Sequence, residues 1–129
     1  MNLSSVGERS EQRLLIIDNT AYIASLLLEL LPELLLGHCE FQSVASAEEL
    51  DAALCTREWD IVLCSFNLPE LTVADVLRSI TQYQPHTPLI VVAETASVRD
   101  AVHMMRLGAK GFVDKSNCED IVELLKQEL

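Results

Sequence analysis

The sequence predicts a three-layer α/β domain: a doubly wound parallel sheet of five strands in the order 2-1-3-4-5, with helices on both faces. Three observations lead there. Short apolar runs alternate with amphipathic helical patterns five times along the chain. The first, third and fourth runs (Leu14–Ile17, Ile61–Cys64 and Leu89–Val92) are continuously apolar, as strands buried on both faces must be. The length of 129 residues and the 50% hydrophobic content suit one domain with a substantial core.

The elements follow in order. Residues 1–12 are polar, rich in Ser and charge, and read as a disordered lead-in; the domain proper spans 13–129. After the first strand, Thr20 is placed to cap a helix running to about Leu31 or Leu36, limited or kinked by Pro32. The second strand is Phe41–Val44, and Ser46 with Glu49 forms a capping box that opens a helix to about Thr56. Thr72 caps a helix to about Tyr83 after the third strand. Ser97 with Asp100 opens the helix after the fourth. There Val98, Ala101, Val102 and Met105 share one face, and Gly108 is the stop. The fifth strand is Gly111–Val113. A last helix starts near Asn117 with Ile121, Leu124 and Leu125 inward, and its pattern still runs at Leu129, as in a chain cut from a longer protein. At this size the order 2-1-3-4-5 is the flavodoxin-like one, with right-handed crossovers.

Composition excludes several classes of function. Nine basic against twenty acidic residues give a net charge of −11, which opposes binding to nucleic-acid phosphates and to anionic membranes. The N-terminus has no apolar signal region. Residues 26–36 hold eight leucines but also Glu29, Pro32 and Glu33, and fall far short of the ~20 residues a membrane span needs. Cys39, Cys55, Cys64 and Cys118 match neither a metal knuckle nor a disulfide framework. Three of the four lie in apolar or helical surroundings and read as small buried hydrophobes, and the setting reads as reducing and cytoplasmic. His38, His86 and His103 are scattered on turns and outer faces and form no metal site. Met104 and Met105 read as core plus rim. Neither a GxGxxG nor a GxxxxGK[ST] is present, so dinucleotide and P-loop readings fail.

Open parallel sheets place their chemistry at the carboxyl ends of the strands. This chain puts Asp18 and Asn19 there after strand 1, and Ser65 with Phe66-Asn67-Leu68-Pro69 after strand 3. Ala93 and Glu94 follow strand 4, and Lys115 follows strand 5. The segments LLIIDN (14–19), DIVLCSFNLPE (60–70), PLIVVAE (88–94) and GAKGFVDK (108–115), in this order and spacing, resemble a response-regulator (CheY-like) receiver domain over about residues 13–129. The wording SFNLP with GAKGFVDKSN is similar to receivers of hybrid sensor kinases and cyclic-di-GMP signalling proteins.

The resemblance implies a phosphorylation site. An acidic pair after strand 1 and an aspartate after strand 3 would hold Mg²⁺, with the latter accepting a phosphoryl group. A Thr or Ser after strand 4 and a Lys after strand 5 would contact the phosphoryl oxygens. Carried over by position, Asp18 and Lys115 match, whereas Asn19, Ser65 and Ala93 replace the second acid, the phosphoacceptor and the hydroxyl. Phe112 occupies the aromatic switch position without a hydroxyl. Ser116 stands where the family usually has a proline, often cis, so a trans 115–116 peptide is expected.

The resemblance therefore implies a degenerate, non-enzymatic receiver with no metal and no cofactor. Asp18 and Lys115 are read as an internal ion pair. The expected role is a phosphorylation-independent protein-interaction or dimerisation module of a two-component phosphorelay. Its partner would be a protein or a linked output domain, of histidine-kinase or cyclic-di-GMP type. The alternatives are phosphorylation at a non-standard residue such as Ser65, or a flavodoxin-like small-molecule binder. Ser65 lacks a GxSxG elbow and reads more simply as a small polar residue closing a strand. A homodimer at micromolar concentration is expected. Either the surplus leucines Leu26, Leu28, Leu35 and Leu36 would mediate it, or the family's usual face on the helix after strand 4, strand 5 and the last helix.

Overall fold

The computed structural model describes residues 12–20, 23–25, 27, 29, 39–93, 97–114, 121, 123–125 and 127, with Cys39 described by its backbone. The elements are β1 (Gln12–Ile17), β2 (Cys39–Val44), α1 (Ala47–Thr56), β3 (Ile61–Ser65), α2 (Val73–Tyr83), β4 (Leu89–Ala93), α3 (Val98–Leu107) and β5 (Gly111–Asp114). Residues 23–25, 27 and 29 are helical between β1 and β2, and 121, 123–125 and 127 after β5.

All strand pairs are parallel, in the order β2-β1-β3-β4-β5, as the sequence predicts. The continuous apolar runs are buried on both faces. Leu15, Ile17, Val62, Cys64, Leu89 and Val91 meet Leu50, Leu54, Val76, Ile80 and Met104 on one side of the sheet. Leu14, Ile16, Ile61, Leu63, Ile90 and Val92 meet Ile23, Leu27, Ile121 and Leu125 on the other. Ile121 and Leu125 thus take the inner positions expected of the last helix, and Ile23 and Leu27 fill the matching places in the first. Leu124 is half-buried beside them. The surplus leucines 26, 28, 35 and 36 lie outside the described residues.

Helix starts follow local chemistry. Ser46 accepts the Glu49 N–H, and Thr72 and Ser97 form reciprocal capping boxes with Asp75 and Asp100. Glu49 differs slightly from the expected box, since its carboxylate accepts the Ala45 N–H, one residue ahead of the cap. Gly108 ends α3 at φ 122, a conformation that side chains other than glycine rarely adopt. The Thr20 hydroxyl donates to Asp18, while the first turn of the helix it is expected to cap lies outside the described residues.

Two further expectations are corrected. Val98, Val102 and Met105 face outward, and the residue α3 buries is Met104. The helix is seated by 101 and 104, the alternative i, i+3 pair on the same cylinder. Cys64 is buried as expected, but Cys55 is exposed on α1.

β1 starts at Gln12, two residues ahead of its apolar run, because backbone pairing with β2 extends back to Cys39. The start is clasped to the chain ahead of β3. The Arg13 N–H donates to Asp60 Oδ2 at 2.7 Å, and the Asp60 N–H donates to the Arg13 carbonyl at 2.9 Å.

At the amino edge of the sheet, Gln84 uses its whole amide. Nε2 donates to the carbonyls of Leu54 (2.8 Å) and Arg57, while Oε1 accepts the Trp59 N–H (3.0 Å) and the Thr87 hydroxyl (3.1 Å). It joins the end of α1, the approach to β3 and the turn before β4. Replacing Gln84 with Met keeps the volume and removes all four bonds, leaving the Thr87 hydroxyl its second partner, the Trp59 carbonyl at 3.2 Å. A loss of about 2–4 kcal/mol is expected, read as a lower urea midpoint at unchanged m. Arg78→Ala, which removes only an exposed ion pair with Asp75, should stay within about 0.5 kcal/mol.

Candidate functional site at the carboxyl lip

The winding reverses at β1, so the crevice lies beyond the carboxyl ends of β1 and β3. Asp18 and Ser65 stand at this lip. Among the described residues they are the two buried polar or charged side chains, 5% and 3% exposed. Asp18 follows β1 directly, held by its N–H to the Val44 carbonyl at 3.1 Å. Ser65 closes β3 opposite Val92. The next residue, Phe66, donates its N–H to the Val92 carbonyl at 2.9 Å. Ala93 closes β4 fully buried, opposite Asp114 of β5, and Asn19 is exposed.

The Asp18 carboxylate is engaged within its own segment. Oδ1 accepts the Thr20 N–H at 3.2 Å and Oδ2 accepts the Ile23 N–H at 3.3 Å, with the Thr20 hydroxyl 3.2 Å from both oxygens. A carboxylate here satisfies an orphan N–H at the start of the helix after β1, and its charge suits the positive end of the helix dipole. The same charge acts on Cys64. Burial first, and the nearby Asp18 second, push that thiol up to about 12, so it stays protonated and inert. Its S–H points to the Ser65 carbonyl at 3.3 Å.

Phe112 of β5 is half-buried and packs edge-on against Phe66, with ring centroids 5.7 Å apart and planes at 73°. This contact ties the loop after β3 to β5. The sequence singles out Phe112 and passes over its partner. The one available signal is that an aromatic directly follows Ser65 at the lip.

The magnesium site implied by the resemblance draws on positions 18, 19 and 65. They offer one carboxylate with both oxygens in use, one amide and one hydroxyl. A hard dication that demands charged oxygens in near-octahedral array does not fit this set. Lys115, Glu94 and the 115–116 peptide lie outside the described residues, as does the expected Asp18–Lys115 ion pair. His86 and His103 are exposed, as expected, and His38 is outside the described residues.

If Asp18 works as a helix cap, Asp18→Ala should cost about 1–2 kcal/mol in urea unfolding, and Asp18→Asn, which keeps an acceptor oxygen, clearly less. Equal losses would remove the capping role.

A family model described as the response regulator receiver domain matches residues 14–126. Regulatory protein LuxO of Vibrio cholerae is 29% identical over 103 residues, covering 80% of this chain and 22% of that protein. Response regulator protein PilR of Pseudomonas aeruginosa is 29% identical over 108 residues, covering 82% and 23%. The chain thus spans less than a quarter of the length of these curated relatives. Among solved structures, a response regulator from Hahella chejuensis superposes with TM-score 0.81 at 20% identity, covering 92% of this chain and 96% of that one. A CheY-like receiver domain protein from Methanospirillum hungatei gives 0.75 at 27%, covering 92% and 94%.

Proposed function

Because the chain belongs to the response regulator receiver domain family, we propose that it serves a two-component pathway as a protein-interaction module whose binding does not depend on aspartyl phosphorylation. Ser65 is the observation that carries this reading. In the family, as the resemblance has it, the residue closing the third strand is the phosphoacceptor aspartate. Here that place holds a neutral, buried hydroxyl.

The chemistry supports the reading. A carboxylate attacks phosphorus as an anion, whereas a serine hydroxyl must first lose a proton to a base. The carboxylate on the adjoining strand end, Asp18, already accepts hydrogen bonds from Thr20 and Ile23. Ala93 has no hydroxyl to follow a phosphoryl group. Phe112 has none to signal its arrival, and its ring is packed on Phe66. Acceptor, latch and signal are altered together, and a surface that binds without them is the function left to the fold. The partner is a protein: a linked output domain, or a kinase or cyclic-di-GMP signalling component. The cytoplasm is the matching compartment. No helix among the described residues is long and apolar enough to cross a membrane.

The test is intact-mass measurement after incubation with Mg²⁺ and acetyl phosphate. The expected result is an unchanged mass. Ser65→Asp alone should give no fast, stoichiometric adduct, because Asn19 and Ala93 remain. A wild-type chain that gains one phosphoryl group overturns the proposal, and fragment mapping to Ser65 would assign it to that serine.

A further inference from the structure

We propose that the hollow at the amino edge of the sheet, between the ends of α1 and α2, binds a small planar aromatic carboxylate. The hollow measures about 430 Å³, within the range of about 300–1,000 Å³ that small-molecule sites span. It lies at the opposite end of the strands from the carboxyl lip, so the inference is independent of how Ser65 is read. Buried Leu54 and Trp59 meet the hollow from inside, and Arg57, Tyr83, Pro85 and His86, all exposed, stand round its rim.

Several carbonyls at this edge are already closed from within the chain. The Ala52 carbonyl accepts the Thr56 hydroxyl at 2.8 Å, and the Ala53 carbonyl accepts the Trp59 indole N–H at 2.9 Å. The Leu54 and Arg57 carbonyls hold the Gln84 amide, and the Trp59 carbonyl accepts the Thr87 hydroxyl at 3.2 Å. Glu58, the one acid lining the hollow, is itself engaged. The unspent capacity of the rim is in donors. Arg57 gives one arm of its guanidinium to Glu40, and a guanidinium has five N–H groups to give. Nearby Asp51 first, and Cys55 second, push the Tyr83 phenol above its ordinary range, so it stays a protonated donor.

These features select the ligand. Donors beside a lasting positive charge call for a carboxylate, whose two oxygens match the fork of an arginine. The flat rings of Tyr83 and His86, with Pro85 between them in the chain, call for a planar apolar body. A metal ion is not the anchor, since no group of three His, Cys, Asp or Glu side chains fit to hold one occurs among the described residues. The net charge of −11 opposes polyanions over the whole surface, whereas a single carboxylate in the hollow feels chiefly the charges within about 8 Å.

An NMR titration of the whole chain tests this. The chain has one tryptophan, so a single indole N–H signal reports on the hollow. Three probes share one carbon skeleton: naphthoate, naphthamide without the charge, and decalin carboxylate without the planar ring. Naphthoate should move the Trp59 and His86 signals and saturate one-to-one with a Kd of about 1 mM or tighter. The other two should each bind at least about fivefold more weakly. Arg57→Gln, which keeps the length of an exposed side chain, should weaken naphthoate by about tenfold and leave naphthamide unmoved.

No saturation by naphthoate up to about 10 mM would overturn the proposal. So would equal binding of the three probes to the wild-type chain, a comparison that needs no variant. Shifts gathered around Ser65 would move the ligand to the carboxyl lip and remove this site. Unchanged naphthoate affinity in Arg57→Gln would remove the carboxylate from the proposal, and with it the proposal itself.

Discussion

A parallel sheet covered on both faces allows polar side chains in few places. Along the runs 14–17, 61–64 and 89–92 every position meets one apolar layer or the other, and an unpaired polar group there costs several kcal/mol. At the lip beyond the carboxyl ends the layers part and helix starts offer free N–H groups. Asp18 and Ser65 stand there, at the ends of neighbouring strands. The apolar runs, the crevice and the identity of the residues that face it all follow from this two-sided covering.

Within that constraint a carboxylate can have two uses. It can hold charge for chemistry, or it can close backbone valences. Asp18 does the second through Thr20 and Ile23. The ring contact between Phe66 and Phe112 is the apolar counterpart, joining two strand ends with no hydroxyl involved. A lip assembled this way is held by ordinary structural interactions.

Much of this was legible in the residues. The unbroken runs 61–64 and 89–92 announce double burial because the two-residue alternation disappears. Ser46, Thr72 and Ser97, each with an acid three positions on, mark helix starts through purely local hydrogen bonds. The site followed from strand ends, so Asp18, Ser65 and Ala93 could be placed. What failed had a physical reason. α3 carries two apolar stripes, 98/102/105 and 101/104, and periodicity gives a stripe's existence but not which one the sheet takes. Cys55 shares a helix with buried residues yet points away from them. The pairing of Phe66 with Phe112, and of Gln84 with Leu54, Arg57 and Trp59, joins distant residues and leaves no local pattern.

The clasp between Arg13 and Asp60 bears on how the chain is made. β1 lies between β2 and β3, so the first strand of this sheet to be synthesised is flanked by two that come later. Its reciprocal bonds reach 47 residues ahead. At ordinary synthesis rates of about 5–20 residues per second, that partner emerges seconds afterwards. Through those seconds Leu14–Ile17, wholly apolar and destined for the middle of the sheet, has its two backbone edges open. Over the same interval the acidic surplus sets like charge against like charge wherever two such unfinished chains meet.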